Sequence, residues 1–436
     1  MKNNFFFIIF FFILSCNPNK KFEISIDDLK KDGSTILTNI DLKNEDNEIF
    51  KINLVKLDNP QNVNKWNYSL YNSSNAIPHL NLSLNFSLDK KKNYFESKKN
   101  NLFYKQLIGD NLKIIYIDDY SNLFIINNEN LKIEKKITLY KKKLIKNYAL
   151  KFSILSINQV LYISDNLGSI KAIDLKSYKI LWEKSLTVPF VSNLAFYKNS
   201  IYVTNSNGKL YSFQAKTGEQ NWSFETGTNT IKNYNSYKIS IDDNFLLFTN
   251  DLKYIYCLDL EKKAVIWNFK FKDLSNSNLE TFQLSDLLML NGSLYVSSTS
   301  GIFYKIKIQT GEVLWSNNVV TSTNFVQNLN FLAIVDKNGY FNIVDSNSGN
   351  ILFKKNLAIN TKSKKIDTNN FKLQNIFISS NKFYILTNMG HIISINSKNL
   401  QEIEYTKVAN AINSNMIFLN GSIFFIGDNE YLYKIK

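Results

Sequence analysis

Leu161–Lys184 reads LYISDNLGSIKAIDLKSYKILWEK, and Ile201–Phe224, forty positions later, reads IYVTNSNGKLYSFQAKTGEQNWSF. The two stretches say the same thing. Each holds an alternating apolar strand, a turn with Asn and Gly, a second strand, a polar turn and a short strand carrying Trp. An Asn-Gly pair between alternating runs is a strong hairpin signal, because both turn residues take positive φ. Lys-Thr-Gly-Glu at 216–219 supplies the next reversal. Such a unit cannot bury its apolar faces alone, so copies of it must stack.

The turn glycine before the second strand serves as a ruler. Gly168, Gly208, Gly301, Gly339 and Gly390 hold that position, and the flanking strands place Ser121, Lys253 and Glu430 there in three further units. Consecutive anchors lie 38 to 51 residues apart. A period of about 40–50 residues made only of strands and turns belongs to the four-stranded blades of a β-propeller. Helical repeats would show a 3.6-residue spacing, which these segments lack. The sequence therefore predicts an all-β, eight-bladed propeller over residues 65–436. After Glu430 the chain supplies only YLYKIK, so the eighth blade lacks its outer strand. An N-terminal strand is expected to complete it, since closure is how propellers remove free edges. Lys65–Leu70, which carries Trp66, is the expected strand.

Fourteen residues beyond the anchors stand Trp182, Trp222, Trp267, Trp315 and Phe353, with Lys135 and Glu404 at the same place in two other units. Gly218, Gly311 and Gly349 precede the aromatic by four residues, and Asp174, Asp259 and Asp345 by eight. With Trp66, these aromatics are expected to dock blade against blade rather than to form a binding cage.

Composition narrows the function. The net charge is +15, yet all 52 basic residues are Lys. Without Arg the chain has no bidentate reader of phosphates or guanine edges, and the lysines are scattered over turns. No nucleic-acid partner is expected. Two cysteines and two histidines without metal-ligand spacing predict no metal site. Cys257, inside YIYCLDL, reads as a small buried apolar residue, and His79 and His391 as structural. The acidic pairs Asp118-Asp119 and Asp242-Asp243 fall in turns, where carboxylates accept backbone hydrogen bonds. No phosphate-binding loop, nucleophile elbow or dinucleotide fingerprint occurs. Catalytic residues are expected to be absent.

Lys2 precedes an apolar run from Phe5 to Leu14, then Ser15 and Cys16. Ten residues are too few for a membrane-spanning helix and suit a signal peptide over residues 1–15. Ile13-Leu14-Ser15-Cys16 resembles the lipobox of bacterial lipoproteins. The resemblance implies that Cys16 is acylated and becomes the first mature residue; Asn17 after it implies sorting to the outer membrane. Several acyl chains together anchor a protein stably. Residues 16–64 show little periodicity and read as a mostly irregular tether, with INLVKLDNP able to lay one short strand against the body.

The repeat, clearest in Ala172-Ile173-Asp174…Trp182 and Thr217-Gly218-Glu219…Trp222, resembles the tryptophan-docking repeat of quinoprotein propellers. Trp66-Asn67-Tyr68 followed by Asn75 and His79 is similar to the W…GGN…H opening of that family, with Ser73-Ser74 near the place of its glycines. Two groups carry the repeat: dehydrogenases that bind pyrroloquinoline quinone and calcium, and the BamB family of outer-membrane β-barrel assembly lipoproteins. The chain has no inserted segment with clustered acids and no partner for Cys257, so the resemblance favours the second group. It implies a non-catalytic scaffold without cofactor, on the periplasmic face of the outer membrane. The implied partner is the barrel-assembly protein BamA, bound through two loops of neighbouring blades. Ile231, Asn233 and Tyr234 lie in the first loop, which does not reproduce the family's basic-apolar motif, and Leu284-Ser285-Asp286 matches the family's LSD in the second, where Leu287-Leu288-Met289 follows and the motif's second aspartate is missing. Alternatives are a propeller that adds a client outer-membrane polypeptide to an exposed strand edge, and a quinone-binding oxidoreductase.

Overall fold

One backbone conformation recurs at all eight anchors. Gly168, Gly208, Gly301, Gly339 and Gly390 have φ between 73° and 112°, and Ser121, Lys253 and Glu430, which carry a Cβ, sit at 59° to 67°. The turn geometry, not the glycine, is what the repeat preserves. Three residues before the anchor, a short polar side chain holds the turn. Asp118, Asp165, Asn205, Asn250 and Asp336 each accept the N–H groups two and four residues ahead. These bonds replace ladder bonds that the tight reversal cannot make.

In the computed structural model the described residues are 48–436, apart from 83, 85–86, 97–104, 147, 231, 235–236, 273–281, 300, 322 and 358–372. They belong to one unit, Asn47–Lys436. It is an eight-bladed β-propeller. Blades 1 to 8 span residues 107–138, 152–185, 195–225, 239–270, 288–317, 326–356, 373–407 and 417–435. Each is an antiparallel meander in which the first strand lines the axis and the fourth the rim. In blade 1 the strands Leu107–Asp110, Lys113–Ile117 and Asn122–Asn127 are buried almost throughout, while Ile133–Thr138 is exposed. Inner strands are covered on both faces by neighbouring blades, so they read as apolar runs such as KIIYI and NLFIIN.

The predicted docking works at three seams. Trp182, Trp267 and Trp315 donate their indole N–H to the carbonyls of Ala215, Ile308 and Ser346 in the next blade. Their rings lie on Gly218, Gly311 and Gly349, where a Cβ would come within 2.8 Å of the indole. A β-bulge in the third-to-fourth ladder follows the aromatic's cross-strand partner, as at Ala172 opposite Trp182 and Cys257 opposite Trp267. The bulge turns the side chain toward the seam. Trp222 departs from this: it is half-buried beside Tyr202, and the following blade has Lys263 (φ 53°) where the others have glycine. Phe353 is fully buried between Phe50 and Phe341.

An N-terminal strand completes blade 8, but it is not Lys65–Leu70. Leu88–Asn93 pairs with Tyr431–Ile435, in the register Asn93↔Tyr431 and Lys92↔Leu432. Its sequence, LDKKKN, lacks the aromatic that drew the expectation elsewhere. It resembles the lysine-rich rim strand IEKKIT of blade 1, as suits a position exposed to water. Trp66 consequently sits on the opposite edge of a different blade. Lys65–Trp66 adds a fifth, axial strand to blade 1, with Trp66 opposite Gly109 and packed on Tyr71 and Phe418. It is a core residue, not a rim docking residue.

The irregular N-terminal stretch is fixed to the propeller before residue 65. Ile49–Phe50 pairs with the rim strand of blade 6, Val55 and Asn53 bond Ser397 and Leu400 of blade 7, and Val63 receives the N–H of Asn420 in blade 8. Residues 1–47, including the expected signal peptide and Cys16, lie outside the described residues.

Candidate functional site

The first strand of each blade turns one edge toward the axis, where unpaired N–H and C=O groups need partners. Residues 65–82 supply them, blade after blade. The Asn67 carbonyl accepts Ser156 N–H of blade 2. Asn193, leading into blade 3, donates to Ser69 Oγ, and Asn415 of blade 8 donates to the Ser69 carbonyl. The Ser73 carbonyl takes Ile241 N–H and Ser240 Oγ of blade 4, and the Ser74 carbonyl takes Met289 N–H of blade 5. Leu80 N–H bonds the Ile378 carbonyl of blade 7, and Leu82 N–H bonds Ser379 Oγ. The axis is lined by the protein's own chain.

His79 belongs to this segment and is structural. It is buried, Nδ1 lies 2.8 Å from the Asp58 carbonyl, and Nε2 lies 2.8 Å from the Ser380 carbonyl. The acidic pairs behave as turn residues. Burial raises the pKa of Asp118, although Asn122 and Tyr120 donate to it. On the rim turns the balance is reversed: the Lys176 N–H lowers Asp174, and the Lys262 N–H lowers Asp259. Cys257 is buried, and that burial pushes its thiol up to about 12. Among the described residues no three His, Cys, Asp or Glu side chains are placed to hold a metal ion.

The loops leading into blades 2 to 5 converge at one mouth of the ring. They enclose a pocket of about 220 Å³ lined by Lys151, Asn193, Tyr234, Tyr237, Lys238 and Gln283. Lys238 Nζ lies 2.9 Å from Asp286 Oδ1. Lys151 has no carboxylate partner among the described residues; burial, with Lys238 nearby, lowers its pKa to about 8. Burial raises the Tyr237 phenol to about 12, so it stays neutral. Of the residues expected at the partner face, Asn233 donates to the Phe282 carbonyl and joins the two loops. Tyr234 is 41% exposed. Asp286 is not a free acid but the counter-ion of Lys238. Ile231 lies outside the described residues. The geometry can receive a negatively charged group and present an aromatic rim beside it.

Two overlapping matches, over residues 155–354 and 235–436, align the chain with the family model described as outer membrane protein assembly factor BamB. The chain belongs to the BamB family. An uncharacterized protein of Rickettsia prowazekii is 23% identical over 336 residues, covering 76% of this chain and 79% of that one. Among solved structures, BamB from Moraxella catarrhalis superposes with a TM-score of 0.64 at 12% identity, covering 80% of this chain and 98% of that one. Quinohemoprotein alcohol dehydrogenase ADHIIG from Pseudomonas putida HK5 gives 0.61 at 10% identity, covering 87% and 83%. At these identities the structures share a fold with this BamB-family chain. Sequence reasoning found the loops of the mouth but missed Lys151 and Lys238. The loops that build the pocket are separated along the chain by whole blades, and a lysine before an inner strand looks like any other among 52 basic residues.

Proposed function

We propose that this BamB-family propeller is a non-catalytic scaffold of the outer-membrane β-barrel assembly machinery. It is held at the periplasmic face of the outer membrane through an acylated Cys16, and binds a BamA-like barrel-assembly protein through the loops around Asn233, Tyr234 and Asp286. The observation that carries this reading is the match to the BamB family model, together with the inner blade edges bonded by residues 65–82. A ring whose inner edges are already bonded by its own chain has its loops, rather than free inner strands, to offer a partner. Short exposed loops on a rigid scaffold are suited to that task. Client outer-membrane polypeptides could pair with exposed rim strands.

The test is recovery of the barrel-assembly protein from solubilised envelopes with the tagged, full-length chain. Tyr234→Ala combined with Asp286→Ala is expected to lower recovery at least tenfold; undiminished recovery would remove this face from the proposal. The likeness to the quinohemoprotein dehydrogenase supports a second reading, a quinone-dependent oxidoreductase. Calorimetric titration with pyrroloquinoline quinone and calcium separates the two, since saturable binding at micromolar quinone belongs only to the second.

A further inference from the structure

The mouth pocket joins two lysines from different blades with a single acid. Lys238 is satisfied by Asp286 at 2.9 Å, while Lys151 is half-buried, beside Lys238, and faces no carboxylate among the described residues. Taking an ammonium out of water without a counter-ion is unfavourable, and so is placing it near a like charge. A fold gains nothing from such a lysine in the unliganded state. Asn193 and Gln283 add neutral polar groups, and Asn193 is itself held by Ser69 of the axial segment.

We infer that this pocket is a binding site for a carboxylate group, with Lys151 as the charge that receives it and Lys238 as its neighbour. The remaining positive charge is one, which a monoanion neutralises; a phosphate dianion would leave an excess negative charge next to Asp286. Lys presents a point charge suited to a single oxygen. Tyr234, exposed at the rim, gives an aromatic surface for whatever carries the carboxylate, while Leu284 and Val191 in the wall are themselves buried. The groups that face Lys151 are Lys238, Asp286 through Lys238, and the phenols of Tyr234 and Tyr237. The inference uses the face of the proposed partner contact, yet it does not depend on that reading, because it concerns small ligands on the isolated protein.

Isothermal titration of the full chain at pH 7 with N-acetyl-phenylalanine, its amide, propionate and inorganic phosphate tests it. N-acetyl-phenylalanine is expected to bind, the amide at least tenfold more weakly, and phosphate more weakly than the carboxylate. Affinity for N-acetyl-phenylalanine tenfold above propionate assigns the site to a polypeptide's carboxylate, and equal affinity to a free small acid; either supports the inference. Lys151→Met is expected to lose at least tenfold in affinity while melting at a higher temperature. Asp286→Asn, which frees Lys238, is expected to bind the carboxylate several-fold more tightly. Equal binding of acid and amide, binding unchanged in Lys151→Met, preference for phosphate, or no binding of either carboxylate would overturn the inference.

Discussion

Glu430 shows how one residue serves both the repeat and the ring closure. It stands at an anchor with φ 59° and makes an ion pair with Lys105, which also lies 3.7 Å from Asp119. One of its oxygens, Oε2, is buried without a hydrogen-bond partner among the described residues. Burial raises its pKa; Lys105 opposes this, and Asp119 and Asp118 add to it. A carboxyl raised in the folded state binds its proton more tightly there than in the unfolded chain. Its contribution to stability is therefore present below the ordinary value of 4.5 and lost as pH rises through the folded pKa. Glu430→Gln removes that dependence. The stability difference, wild type minus variant, should fall as pH rises above 4.5, as read from urea midpoints across a pH series. A flat difference would mean that Glu430 titrates alike in both states.

At the scale of the element, the blade seam is a tryptophan on a glycine. A Cβ at Gly218 would lie 2.5 Å from the Trp182 ring, whereas Gly421, with nearly the same φ, has no atom of the described residues within 4 Å of that position. Gly421→Ala should therefore cost only the left-handed backbone term, about 1–2 kcal/mol. Gly218→Ala carries that term plus displacement of the indole and of its bond to the Ala215 carbonyl. A further ~1–3 kcal/mol is expected, as for other overpacked or broken core contacts. Urea unfolding of the two variants measures the difference, and equal losses would show that docking adds nothing at this seam. Trp222, opposite a turn with Lys263, marks where the sequence pattern and the seam part company.

For the whole molecule, the axial segment has the larger consequence. Residues 66–82 bond blades 2, 3, 4, 5, 7 and 8 beside the strand pairing with blade 1. They should open only when the ring opens. Hydrogen exchange followed by mass spectrometry is expected to show the amides of Ser156, Ile241, Met289 and Leu80 among the most protected in the chain. Exchange of these amides within minutes, with the blades intact, would mean that the segment detaches by itself. The closing strand Leu88–Asn93 has a different character: Asp89 lies 3.5 Å from both Lys434 and Lys436, and the strand faces water at the rim.

Periodicity alone determined the ring. Eight turn anchors were readable because every blade needs the same positive-φ reversal, and even Ser121, Lys253 and Glu430, chosen only from their flanking strands, adopt it. The docking tryptophans were readable for the same reason: a local spacing of fourteen residues encodes them. What local spacing cannot encode is which distant segment meets which edge. Trp66 looked like a rim residue and became part of the axis, while the lysine-rich LDKKKN took the rim. Both edges accept any strand with free backbone groups, so the choice fell to burial: the aromatic went where water is excluded, and Lys92 where it is not. Lys151 and Lys238 share a pocket only because closing the ring brings blades 2 to 5 around one mouth.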